Sequence, residues 1–227
     1  MSAAVLKVIA ALCMLIDHVG YWFFPHADLL RIIGRIAFPI YAFCIAEGCF
    51  RTRSRGQYLF RLALFALISE LPFDLYFFPG FDLLGQANVG FTLLFGAAGL
   101  MLWQRWEGRP GLRLVALAAT AGLALTAYVL DTDYSAAGVM MIFLFGLVWE
   151  LPERYRPAGR TAALLLGVIL LMCMGSWDLE WFALLAAPLL IFYNGQRGKL
   201  PLPRYFFYAY YPAHLILLIL IRGLIAY

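Results

Sequence analysis

Between Lys7 and Glu47 the chain reads as two apolar runs of membrane length, yet it holds Lys7, Asp17, His18, Arg31, Arg35 and Glu47. A charged side chain at the centre of a spanning helix is unfavourable by about 2.5–3.5 kcal/mol. Residues kept there against that penalty must be satisfied inside a bundle or a wet cavity. The adjacent pair Asp17-His18 is the sharpest chemical signal. An imidazole can act as general base or as nucleophile, and a nearby carboxylate can fix its tautomer. Asp17 fits a second, compatible role as ion-pair partner of Arg35. His18 itself could instead be a structural histidine donating to a neighbouring carbonyl.

Further titratable residues recur in later apolar runs. At about 1.5 Å of rise per residue, His18 lies roughly 16 Å along its helix from Lys7, and Arg35 roughly 18 Å from Glu47. Glu70 lies about 13 Å from Arg61, and His214 about 15 Å from Tyr205, by the same rise. His18, Arg35, Glu70 and His214 are therefore expected in one mid-depth layer and form the candidate catalytic set with Asp17. Within it, Arg35 and Glu70 could form a structural pair, and Arg35 or His214 could stabilise an oxyanion. Pro212 precedes His214 and should kink its helix, freeing carbonyls for polar contact. Tyr21, Trp22, Phe23 and Phe24 read as an interfacial aromatic belt, and Arg222 as a snorkelling side chain.

Positioning these residues requires a membrane bundle. Of 227 residues, 64% are hydrophobic and 13% charged, and mean hydropathy is +0.84, outside the range of soluble domains. The fold expected is all-α, one domain over residues 1–227, a polytopic integral membrane bundle of about nine transmembrane helices. The spans fall near residues 3–24 and 29–50, from after RTRSRGQY to about 78, near 90–104, from after RWEGRPGLR to about 129, and near 135–149, 161–176, 179–194 and 205–227, with the pair 161–194 either two spans or re-entrant. The first span lacks a clean signal-cleavage pattern, because Asp17 and His18 interrupt it.

Basic residues fall in alternate loops: Arg51, Arg53, Arg55 and Arg61; Arg105, Arg109 and Arg113; Arg154, Arg156 and Arg160; Arg197, Lys199 and Arg204. The other loops carry Asp28, Asp82, Asp131, Asp133, Asp178 and Glu180. The positive-inside rule then puts the N-terminus in the cytoplasm. The net charge of +4 is spread between apolar spans, which argues against nucleic acid as a partner. Cys13, Cys44, Cys49 and Cys173 show no metal-ligand spacing and read as core residues, so no metal site is expected. No Walker or GxGxxG motif accompanies the cytoplasmic arginines. They are either topology signals or a surface for a phosphorylated cosubstrate.

The runs LKVIAALCMLIDHVG, RIIGRIAFPIYAFCIAEGCFRTRS and YLFRLALFALISELPFDL resemble the TraX family of membrane acetyltransferases. NVGFTLLFG after Asn88, DTDYSAAGVMMI through Asp133 and Gly138, and the closing FFYAYYPAHLILL resemble it as well. The likeness covers nearly the whole chain and is weakest from Arg105 to Ala127 and from Glu153 to Leu200. It implies transfer of an acetyl group from cytosolic acetyl-CoA, with no metal, in a bacterial inner membrane. The acceptor implied is an amine or hydroxyl, such as the N-terminal amine of pilin, a surface glycan or a small amine. Related polysaccharide acetyltransferases carry a basic residue, ten intervening residues and then a histidine, which Lys7 and His18 match. Carried onto this chain, the resemblance points to Lys7, Arg51, Arg53, Lys199, Glu47, Arg61, Tyr211 and Asn88 for cofactor binding. Membrane lipid is a further partner, and a homo-oligomer is compatible with the sequence. The same buried Asp, His, Arg and Glu set would also suit a proton-coupled transporter, the competing expectation.

Overall fold

The computed structural model describes residues 1–78, 85–174, 179–203 and 205–225. Asp82, Asp178 and Arg204, used above to read the loop charges, lie outside them. The described residues contain helices and no strand: α1 Ala3–Phe23, α2 Asp28–Gly34, α3 Ala37–Arg51, α4 Arg55–Phe77 and α5 Val89–Arg105. Then follow α6 Pro110–Val129, α7 Ser135–Leu147, α8 Arg156–Cys173, α9 Ala187–Ile191 and α10 Phe206–Ile225. A 3-10 segment, Glu180–Ala186, leads into α9.

Among the described residues, five helices are long and apolar enough to cross a membrane by length and composition. They are Ala3–Phe23, Asp28–Arg51, Pro110–Val129, Glu153–Cys173 and Phe206–Ile225. The 179–194 span expected from the sequence is a short 3-10 and α-helical piece, Glu180–Ile191. Its tighter winding and Pro188 at the start of α9 keep it from forming a regular long helix.

The second span is broken rather than continuous. Arg35 accepts no bond from position 39, because Pro39 has no N–H. The chain answers with a tight turn, in which Arg35 N donates to Arg31 O and Ile32 O, and Ile36 N to Ile33 O. The break separates α2 from α3 and leaves Arg35 at the joint.

Contacts give the directions. Along α1 and α10, Lys7 meets Phe207, Ala11 meets Tyr210 and His18 meets His214, so the two helices run parallel. Helix α4 follows them, with Phe65 against Tyr208 and Tyr76 against His18. The α2–α3 pair runs the opposite way, with Gly34 beside Asp17 and Arg51 at Tyr193 and Gly195.

Basic residues following α3, α5 and α7 converge at one end of the molecule. Arg51 and Arg156 both lie over Trp149, while Arg113 and Trp103 both bond Glu150. Three arginines from three of the basic loops thus share one end among the described residues. A buried cluster of α1, α3, α5, α7 and α8 side chains, including Leu6, Phe43, Leu100, Met141 and Leu164, holds this end together. Cys44 and Cys49 belong to it, and Cys13 is also buried, whereas Cys173 is exposed.

Candidate functional site

His18 is buried on α1 and meets His214 of α10: His18 Nδ1 is 2.7 Å from His214 Nε2. His214 Nδ1 lies 2.8 Å from the carbonyl oxygen of Tyr210, one turn back. A carbonyl only accepts, so His214 must donate through Nδ1, and its Nε2 must accept from His18 Nδ1–H. The chain of bonds fixes both tautomers and leaves His18 Nε2 with a lone pair. Tyr76 adds a further restraint, its hydroxyl donating to the His18 carbonyl at 2.5 Å.

This corrects the expected orienter. Asp17 does not serve His18, because consecutive residues on a helix point about 100° apart. Its carboxylate turns towards α2, where Arg31 Nη1 lies 2.9 Å from Oδ2 and Arg35 Nη2 3.3 Å from Oδ1. Gly34 permits this approach: a Cβ there would fall inside the Asp17 carboxylate. Arg35 reaches the other way to Glu180, Nη1 to Oε1 at 2.6 Å. Two cations and two carboxylates from α1, α2, the α2–α3 joint and the 3-10 segment thus form one ion-pair chain.

Glu70 is not part of it, so the expected Arg35–Glu70 pair does not form. Glu70 accepts from the backbone N–H and side-chain amide of Asn88. Asn88 in turn caps α5 through Gly90 N and donates to Ala66 O. Both residues are structural in this arrangement: they fasten the start of α5 to α4.

A cavity of about 320 Å³, within the size range of small-molecule sites, lies beside His18. Its walls include Met14, Asp17, His18 and Tyr21 of α1, and Arg31 and Arg35 at the α2–α3 joint. Phe65 and Phe77 of α4, Val89 and Leu93 of α5, and Phe207 and Tyr211 of α10 complete the apolar sides. Asp133 and Tyr134, from the turn between α6 and α7, close the far wall. His214 is not on the lining and stands behind His18.

That turn is rigid and strained. Tyr134 holds φ of 63° and Ser135 of 46°, left-handed values uncommon for residues with a side chain. Asp133 N donates to Ala87 O at 2.8 Å, Thr92 bonds the Asp133 carbonyl and Thr132, and Tyr134 stacks on Phe38. Burial pushes the Asp133 carboxyl up to about 7, against the opposing pull of Arg35.

The remaining expected cofactor residues divide sharply. Lys7 lies over the ring of Phe207, at the basic-loop end of the cavity, and Tyr211 is on its wall, edge-on to His18. Glu47 and Arg51 are committed elsewhere: Arg51 Nε bonds Glu47 at 2.7 Å, and both engage Tyr193. Arg61 lies over Tyr58. Arg53 and Lys199 are exposed. Tyr21, read as interfacial, lines the cavity under Arg31, and Arg222 lies over Trp22.

Sequence reasoning gave no role to Arg31, Gly34, Asp133 or Tyr76. The i, i+4 spacing of Arg31 and Arg35, which puts both on one helix face, was the available signal for the first.

The family model described as TraX protein matches residues 2–222. The chain belongs to the TraX family. A probable fimbrial assembly protein FimC of Dichelobacter nodosus is 32% identical across 96% of this chain and 94% of its own length. Protein TraX of Escherichia coli is 28% identical across 94% of this chain and 84% of its own. No solved structure matches this TraX family chain. The name of the Dichelobacter nodosus relative connects that protein with fimbrial assembly.

Proposed function

We propose that the chain is an acetyl-CoA-dependent membrane acyltransferase of about nine spans, with its basic end in the cytoplasm of a bacterial cell. The observation that carries this reading is the His18–His214–Tyr210 hydrogen-bond chain, which presents an unprotonated His18 Nε2 at a cavity wall. Acetyl-CoA approaches the basic end, its phosphates near Lys7, Arg53 and Lys199, and its thioester reaches His18 past Phe207. The acceptor arrives from the opposite end, where Tyr21 and Arg31 line the cavity.

In the direct route, the acceptor nucleophile attacks the thioester carbonyl carbon while His18 Nε2 takes its proton. The tetrahedral intermediate collapses with cleavage of the C–S bond, and His18 returns the proton to the thiolate. In a two-step route, His18 Nε2 carries the acetyl group between thioester and acceptor. The oxyanion falls to Arg31, which has one carboxylate partner where Arg35 has two. His214 acts behind His18 as its positioning residue.

The test is incubation of purified protein in detergent with acetyl-labelled CoA, following label on protein and release of free CoA, for wild type and His18→Ala. Turnover in the wild type and its loss in folded His18→Ala supports the reading; label on wild-type protein selects the two-step route. Equal turnover in both proteins, or no binding of acetyl-CoA to the wild type, overturns it. Gradient-driven uptake into vesicles by a protein that ignores acetyl-CoA would identify a transporter instead.

A further inference from the structure

The charges around the cavity do not cancel. Arg31 and Arg35 are balanced by Asp17 and Glu180 through the ion pairs described above. Asp133 is then left over: among the described residues it lines the cavity with no ion-pair partner within bonding distance. The groups acting on it are Arg35 and the Tyr134 backbone N–H, which favour the carboxylate, and Glu180, Asp17 and the Tyr134 and Tyr211 hydroxyls, which do not. A carboxylate in such a place calls for a proton or an incoming cation. Its backbone is pinned by Ala87, Thr92 and the left-handed Tyr134, so it is held at the wall rather than free to turn to solvent.

We infer that Asp133 is a second catalytic base of the site, one that receives a cationic amine acceptor and takes its first proton. The inference rests on the acetyl-transfer reading and adds to it a requirement of proton balance. A hydroxyl acceptor and acetyl-CoA give ester and CoA thiol with no net proton, so His18 alone suffices, shuttling one proton from oxygen to sulfur. An ammonium acceptor, R–NH3+, gives amide, CoA thiol and one extra proton. Asp133 removes that proton first, leaving R–NH2 with the lone pair needed for attack. The nitrogen then bonds the carbonyl carbon, the C–S bond breaks, and His18 moves the second proton from nitrogen to the thiolate. Asp133 finally releases its proton to water at the open end of the cavity. The raised carboxyl of Asp133 suits this exchange, since an amino terminus has an ordinary value of about 8.

The experiment measures acetyl transfer to a tripeptide amide with a free amino terminus, and to its hydroxyl-terminated analogue, from about pH 5.5 to about pH 9. Wild type, Asp133→Asn and Asp133→Glu are compared, with acetyl-CoA binding measured in parallel. For the wild type, transfer to the amine should rise through about pH 7 as Asp133 ionises and level off above about pH 8, where the amine arrives already deprotonated. Asp133→Asn should lose about five- to tenfold on the amine at pH 7 and below, and its rate should climb roughly tenfold per pH unit up to about pH 8, because it waits for free amine. Asp133→Glu should restore the rise below about pH 8.

An Asp133→Asn profile superimposable on the wild type overturns the assignment. If that variant does not fold, a wild-type amine profile whose rise is centred on the amine's own value of about 8 rather than on about pH 7 overturns it equally. Wild-type transfer to the hydroxyl analogue but not to the amine does the same, while leaving acetyl transfer intact. Absence of both acetyl-CoA binding and thiol release removes the acetyl-transfer reading and Asp133's role with it.

Discussion

His18 and His214 lie in planes 6° from parallel, with ring centroids 4.9 Å apart and 2.7 Å between the facing nitrogens. One histidine therefore does for the other what a carboxylate does in many catalytic pairs, fixing the tautomer without adding a buried negative charge. In an apolar bundle that is an advantage, because a neutral acceptor has less desolvation to offset than an ionised one.

His214→Leu removes the acceptor for His18 Nδ1–H and frees the ring to rotate. Acetyl transfer should fall by about 100-fold or more, with acetyl-CoA affinity changed only a few-fold. His214→Gln can place an amide oxygen near the lost Nε2 and should recover part of the rate. A kcat loss with KM nearly constant distinguishes positioning from loss of cofactor binding; a shift confined to KM would contradict this role.

Gly34 has no side chain because Asp17 occupies that space. Gly34→Ala should destabilise the protein by about 1–3 kcal/mol through overpacking and loosen both arginine contacts of Asp17. The check is thermal unfolding in detergent with a double-mutant cycle. Asp17→Ala should be less destabilising in the Gly34→Ala background than in the wild type, since the two residues share one contact. Additive effects would show that the contact is not what Gly34 protects.

Much of this arrangement was legible in the sequence, for identifiable reasons. Membrane-length hydropathy gave the helical bundle, and alternating basic loops gave an end where Arg51, Arg113 and Arg156 do gather. Equal depth correctly brought His18, Arg35 and His214 to one region. Depth says nothing of azimuth, however, so it wrongly grouped Glu70, which faces Asn88, with Arg35, which faces Asp17 and Glu180. Adjacency in sequence misled in the same way for Asp17 and His18. Asp133 was hidden because its turn follows α6 by sequence and reaches the cavity only through its bonds to Ala87 and Thr92.

Arg51 and Arg53 are two residues apart, yet should behave differently. Arg51 bonds Glu47, Tyr193 and Gly195 and ties α3 to the segment after α9. Arg51→Ala should therefore lower the unfolding temperature, leaving buried Glu47 without its cation. Arg53 is exposed; Arg53→Ala, and Lys199→Ala likewise, should leave unfolding unchanged and raise KM for acetyl-CoA several-fold at low salt. The KM effect should shrink as ionic strength rises, because exposed charges are screened. An Arg53→Ala protein with unaltered KM at low salt would exclude Arg53 from the phosphate site.

Asp133 also makes a prediction about folding that needs no substrate. It lies in the turn between α6 and α7, and its carboxyl is raised to about 7 from an unfolded value of about 3.9. Between those values the folded chain holds a proton that the unfolded chain has lost, so stability falls as pH rises through that window. Below about pH 4 both states are protonated and the effect vanishes; above about pH 7 the destabilisation is complete. Asp133→Asn mimics the protonated form and should remove this slope. Its unfolding temperature should match the wild type near pH 3.5 and exceed it near pH 8. Unfolding curves for the two proteins across this range decide the matter: parallel pH dependences would mean that Asp133 titrates normally and is not the uncompensated charge of the cavity.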